Sequence, residues 1–207
     1  MEEKAEKLLD FLSTIEPLKY ITRHSWCSNG RQESVAEHEW RMAIMAVLLE
    51  DEFPDIDMKK VLEMCLLHDL GETDGDIPAF EKTEDDDSHE FTQLKKLTQI
   101  LPPNLGSKII SLQKEFNTRE TPEAKLANAL DKLEALIQHN DADISTWANL
   151  EYELNLTYGQ NQTDYHPFLK ILRQLVKRTT VNKIQLEMKT QGSNKANSAD
   201  AKKRAAD

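Results

Sequence analysis

Four residues stand out for the chemistry they can do together. His38 lies in "SVAEHEWRMAIMA", His68 and Asp69 directly follow "MCLL", and Asp131 lies in "ANALDKLEALI". His38 shares a helical face with Val35, Met42, Met45 and Leu49. His68 continues a row from Val61 and Met64, and Asp131 edges the stripe Leu126, Leu130, Leu133 and Ile137. Taken singly, such a histidine is a core residue with one hydrogen bond, and such an aspartate is a half-exposed surface residue. Together they aim two imidazoles and two carboxylates at one interior. An ionised carboxylate is costly to bury alone, but four such donors can share a divalent cation that offsets their charge. Nitrogen and oxygen donors without a thiolate suit Mn²⁺, Co²⁺, Fe²⁺ or Zn²⁺ better than Mg²⁺. An octahedral ion held by four protein ligands keeps two positions for water and substrate. A cation so held lowers the pKa of water towards ~7 and polarises a phosphoryl oxygen, which is hydrolytic chemistry.

The elements that must position these donors read as helices. Residues 4–16 carry Leu8, Leu9, Leu12 and Ile15 at helical spacing, and Pro17 ends that segment. "LKYITRHSWCSNGRQE" reads as an irregular connection with a turn at Asn29-Gly30. "SVAE" is a capping box in which Ser34 opens a helix running to about Glu50. Asp57 is the N-cap of a third helix, "MKKVLEMCLLHDL", that Gly71 is expected to end. Residues 84–100 form an exposed helix, acidic first and basic later, and a short helix follows in "PPNLGSKIISLQKEF". Thr121 and Pro122 open the helix that carries Asp131, and helical segments at roughly 143–157 and 167–188 complete the body. No strand pattern of comparable strength and no internal repeat is visible. The expectation is an all-α chain, a single helical bundle over residues 1–188 with a flexible tail over 189–207, whose "KKR" is best read as solvated.

With those residues in view, the order His38, His68-Asp69, Asp131 resembles the H…HD…D signature of the HD-domain metal-dependent phosphohydrolases. The strings "RHSW", "RQESVAEHEWRMAIMA", "LLHDLGE", "GDIP" and "TPEAKLANALDKLEALIQ" are similar to the 5′-deoxynucleotidase branch, over about residues 8–180. The resemblance implies an HD-domain helical fold, removal of phosphate from nucleoside 5′-monophosphates, one divalent ion per site and commonly a homodimer. It makes His38, His68, Asp69 and Asp131 the metal ligands.

Glu72 falls three residues after Asp69 and four after His68, over the same face if the helix persists. The resemblance makes Glu72 an essential residue, placed to take a proton from the attacking water. Asp76 of "GDIP" matches the second acid, placed to orient substrate or protonate the leaving 5′-oxygen. Only Thr73 and Asp74 separate Glu72 from Gly75, one residue fewer than is usual in relatives, so Asp74 stands as an alternative to Asp76. Arg23 matches the arginine before the first histidine, and its guanidinium suits phosphate oxygens. Trp26 either stacks on a base or sugar or pins its loop to the core. Lys132 and Arg31 are candidates to add positive potential. His89 is the one histidine between the HD pair and Asp131, where two-metal branches of the superfamily carry more, so the resemblance favours a single metal, and His24, His139 and His166 read as ordinary surface or loop residues.

Composition limits the partners. The chain has 207 residues, a formal charge of −11 and two cysteines, Cys27 and Cys65, without CxxC spacing. That charge argues against a nucleic-acid polymer as partner, while a small phosphorylated substrate needs only a local positive centre. No apolar run approaches the ~20 residues of a membrane span, and the cysteines and the acidic start point to a cytoplasmic setting. Two other readings stay open: an HD phosphatase acting on another phosphorylated metabolite or a guanosine polyphosphate, and a non-catalytic module that binds metal and nucleotide.

Overall fold

A computed structural model of the chain describes the backbone of residues 1–204 and the side chains of residues 1–191. The elements are helices α1 (Glu2–Ile15), α2 (Val35–Leu48), α3 (Met58–Cys65), α4 (Glu84–Thr98), α5 (Pro103–Thr118), α6 (Pro122–Asp141), α7 (Glu151–Thr157), α8 (Gln160–Thr163) and α9 (Pro167–Arg204), with a small hairpin of strands β1 (Thr22–Trp26) and β2 (Gln32–Ser34). The fold is all-α around that hairpin. The side chains of the expected tail beyond Gln191, including "KKR", lie outside the described residues, as do residues 205–207 altogether.

Helix starts follow from capping chemistry. Ser34 accepts from the Glu37 N–H while Glu37 accepts from the Ser34 N–H, Asp57 accepts from the Lys60 N–H, and Thr121 accepts from the Ala124 N–H ahead of Pro122. Thr83 and Asp86 make a further capping box that opens α4 with four acids in its first turn.

α6 is the axis of the bundle and packs against α2, α3, α5 and α9. Met42, Ala46, Val61, Met64, Leu130 and Leu133 form the core between them, and a second core gathers Phe11, Val35, Leu70, Leu94 and Leu97 under α1 and α4. Because α6 is enclosed on nearly all sides, Asn128, Glu134, Gln138 and His139 are buried as well as the leucine stripe.

Three expectations need correction. The connection before α2 is not irregular: β1 pairs antiparallel with β2, Thr22 opposite Ser34 and Trp26 opposite Gln32, with Gly30 at φ 84° in the turn. Between those pairs β1 has more residues than β2, and this bulge breaks the usual alternation of faces. Secondly, α3 stops at Cys65 and the chain continues in tight turns, with Leu70 N–H on Leu67 C=O and Glu72 N–H on Asp69 C=O. Gly71 therefore ends no helix. It is needed because a Cβ there would lie 2.5 Å from the Glu90 carbonyl oxygen of α4. Thirdly, the segment 143–157 is a single 3-10 turn at Ile144–Thr146 followed by the short helix α7.

Candidate active site

The donors predicted from the sequence meet at one place. His38 comes from α2, His68 and Asp69 from the turns after α3, and Asp131 from α6. Ligand atoms of His38, His68 and Asp131 all lie within 4.8 Å of one another. His38 Nε2 is 3.4 Å from Asp131 Oδ1 and 3.8 Å from Asp69 Oδ2, and His68 Nε2 is 3.2 Å from Asp69 Oδ2.

The hydrogen bonds on the far side of each ring decide what faces inward. His68 Nδ1 lies 3.2 Å from the Cys65 carbonyl, which can only accept, so Nδ1 carries the hydrogen. Burial, outweighing Asp69 and Asp131, pushes the His68 pKa below its ordinary value, so the ring is neutral and Nε2 offers a lone pair. His38 Nδ1 is held by Glu134. Both Nε2 atoms are buried and have no hydrogen-bond partner. Two lone nitrogens facing two carboxylates fit a divalent cation. Burial and Arg23 work against a charge on His38, but Glu134 and Asp131 lift its pKa to about 10. Glu33, Glu39, Glu72 and Glu134 add to this buried acid, and Arg23, Arg41, Lys82 and Lys132 offset it.

Around the cluster is a cavity of about 410 Å³. Glu72 lies in its wall, 4% exposed, with Lys82 Nζ 3.3 Å from Oε1 and with Oε2 buried and unpartnered. Burial, then Asp69 and Asp76, push its pKa up to about 9 against Arg23 and Lys82. Asp76 also lines the cavity, 3.7 Å from Arg23 Nη1, so the shorter loop still delivers it. Asp74 is turned out to solvent, where it accepts from His89 and Gln93, and the alternative role weighed for it has no geometric basis.

Arg23 lines the cavity with Nη1 3.3 Å from Asp69 and Nε 3.6 Å from Glu33. Burial disfavours its charge, but Asp76, Asp69 and Glu72 hold it firmly protonated. Lys132 Nζ is 2.7 Å from Asp131 Oδ2 and lies over the Tyr158 ring at the cavity wall. Trp26 is not brought to this wall: its carbonyl accepts from Gln138, which favours the loop-pinning role. Arg31 is paired with Glu37 at the surface.

Two residues read as ordinary are not. His24 and His139 both line the cavity and flank Glu151, with His24 Nε2 2.8 Å and His139 Nε2 3.4 Å from Glu151 Oε1. His139 also contacts Ser25 and Asn155, so the network ties β1 to α6 and α7. The bulge in β1 lets consecutive residues Arg23 and His24 face one cavity. Glu39 is a further residue the sequence reading missed; it is buried and accepts from the Asp69 backbone N–H, which braces the turn.

Fold and site together define a helical metal-dependent hydrolytic centre, and comparison with known proteins gives it a family. The HD domain family model matches residues 15–172, and the chain belongs to that family. It is 34% identical over 142 residues to the 5′-deoxynucleotidase HDDC2 of Bos taurus, covering 66% of this chain and 68% of that protein. It is 31% identical over 164 residues to the 5′-deoxynucleotidase hdd1 of Schizosaccharomyces pombe, covering 70% and 82%. The structure resembles that of a predicted metal-dependent phosphohydrolase from Magnetospirillum magnetotacticum, with a TM-score of 0.75 and 26% identity over 88% of this chain and 95% of that one.

Proposed function

We propose that this chain is a divalent-metal-dependent phosphomonoesterase that removes the 5′-phosphate of nucleoside 5′-monophosphates, deoxyribonucleotides among them. The observation that carries this reading is the pair of buried, unpartnered Nε2 atoms of His38 and His68 set against the carboxylates of Asp69 and Asp131. These four residues would hold the ion, with Mn²⁺, Co²⁺, Fe²⁺ or Zn²⁺ favoured over Mg²⁺ by the nitrogen donors. When bound, it supplies Lewis acidity toward water and a phosphoryl oxygen.

The side chains supply the rest. Arg23 clamps the phosphate through Nη2, which takes part in none of its three carboxylate pairs. Lys132 adds positive charge beside it. Glu72 takes the proton of the attacking water through Oε2, the buried oxygen that has no partner and faces the cavity. Asp76, on the same guanidinium, orients the substrate or relays to the leaving 5′-oxygen the proton that Glu72 takes from the attacking water. The cavity extends along α6 through Asp131, Ala135 and His139, which spans about 12 Å of helix, room for a nucleoside beyond the phosphate.

We also infer a homodimer in a cytoplasmic setting. Trp40, Ile44, Val47 and Leu48 lie exposed along one side of α2, an apolar stripe of the kind a second copy covers. Both cysteines are free thiols, and no helix among the described residues is long and apolar enough to cross a membrane.

The test is phosphate release after metal removal and add-back, from ribo- and deoxyribonucleoside 5′-monophosphates, 3′-monophosphates, a cyclic nucleotide and an aryl phosphate. Metal-dependent release from the 5′-deoxy compounds, with the 3′ isomers untouched, is the expected result. Release from the aryl phosphate alone would keep the metal site and discard the substrate. Bound metal without release from any substrate would leave a binding module.

A further inference from the structure

His38 reaches the donor cluster without any exposure to solvent, and another buried charge holds its ring. Glu134 is 0% exposed and lies one turn beyond Asp131 on α6. Its Oε2 accepts from His38 Nδ1, its Oε1 accepts from Arg41 Nε at 2.7 Å, and Arg41 Nη1 continues to Asp141 Oδ2 at 3.0 Å. His38 and Arg41 are three residues apart on α2, as Asp131 and Glu134 are on α6. Two such pairs on facing helices therefore interlock, and α2 cannot rotate against α6 without breaking contacts to both oxygens of Glu134.

Packing alone does not ask for this arrangement. A buried ion pair replaced by apolar side chains of similar volume is often neutral or stabilising, and the core that α2 and α6 share includes Met42, Ala46, Leu130 and Leu133. What an apolar residue at 134 could not do is accept the hydrogen of His38 Nδ1. With Nδ1 engaged, the opposite nitrogen of the ring is the one facing His68 and Asp131, and that nitrogen is the buried, unpartnered Nε2.

We propose that Glu134 is a positioning residue for the metal centre: it fixes the ring of His38 so that Nε2 faces the shared space, and Arg41 Nε holds Glu134 in place. No bond is made or broken in this role. It rests on reading the cluster as a metal site, so the test reads metal binding directly, apart from turnover.

Full-length, metal-free protein is titrated with Co²⁺ by equilibrium dialysis, with thermal unfolding of the metal-free form measured alongside, for wild type, Glu134→Gln, Glu134→Leu and Arg41→Met. Loss of a carboxylate behind a ligating histidine typically weakens metal binding 10–100-fold. Glu134→Leu is expected in that range while its metal-free form still unfolds cooperatively. Glu134→Gln should fall between it and wild type, because the amide oxygen still accepts from Nδ1 while the amide N–H opposes Arg41. Arg41→Met, which touches no ligand, should weaken binding by a smaller factor and decides the matter if the leucine variant does not fold. Wild-type Co²⁺ affinity in a folded Glu134→Leu or Arg41→Met protein, with only the unfolding temperature changed, overturns the positioning role. A wild-type chain that binds no Co²⁺ overturns both this role and the metal reading beneath it, whereas tight binding without nucleotide turnover overturns only the nucleotidase reading.

Discussion

The Lys82 ammonium lies 3.3 Å from Glu72 Oε1 and 2.7 Å from Glu90 Oε2, so one cation pins the proposed base to α4. Glu72 is thus fixed on one oxygen and leaves the other without a partner. Glu72→Gln keeps the shape and the hydrogen bond but cannot take a proton. Its turnover should fall by about 10²–10⁴-fold, the usual range for a lost general base, with metal content unchanged. Near-normal kcat in Glu72→Gln would remove Glu72 from the mechanism.

Asp69 and Asp131 should behave differently from Glu72. Substituting either with alanine takes a donor from the cluster, so metal content and turnover should fall together when measured on the same preparation. A variant that keeps full metal content yet loses activity would mean that its carboxylate works on substrate.

Arg23 is paired with acids that a bound cation would also neutralise. Removing one partner of a buried pair typically costs several kcal/mol. Metal-free Arg23→Ala should therefore unfold at a lower temperature than wild type, and added Mn²⁺ should narrow the gap. In turnover the variant should raise KM more than it lowers kcat if the clamp acts on bound substrate and transition state alike. An unchanged KM would place the phosphate elsewhere.

His139 makes stability depend on acidity. Burial, outweighing Glu151, lowers its pKa to about 4, against about 6.5 for an unfolded histidine. Between those values the unfolded chain binds more protons than the folded one, so stability is complete above about pH 6.5 and declines as pH falls towards 4. The melting temperature of wild type should drop over that interval more steeply than that of His139→Gln. Parallel curves would show that the ring is not held neutral.

That His38, His68 and Asp131 come together was legible because each falls at a helical repeat beside apolar neighbours, with Asp69 next to His68, a pattern that one sequence displays. His38 with Val35 and Met42 is an example. The polar layer behind the ligands was not. Glu134 falls at the edge of the leucine stripe of α6 but has no signature of its own, and His139 reads as a surface residue that only the packing of other elements around that helix buries. The β1 hairpin was missed for a related reason: three paired residues in β2 and a bulge leave no alternation to detect. Asp76 and Asp74 could not be told apart from spacing, since their difference lies in the path of a loop. The end of α3 at Cys65 was hidden because the apolar pattern continues through Leu66 and Leu67 into the turns.

Gly71 has no side chain to offer a phosphate or a cation, yet the space where one would stand is taken by the backbone of Glu90. Backbone cannot swing aside as a flexible side chain can. In a scan of every substitution along the chain, this position would therefore rank with the four clustered donors as intolerant, and Gly71→Ala would lose activity by shifting the turn that carries Asp69 and Glu72. Intolerance to mutation would mark a point of clearance there, and a map of essential positions read as a map of chemistry would mistake that clearance for a catalytic side chain.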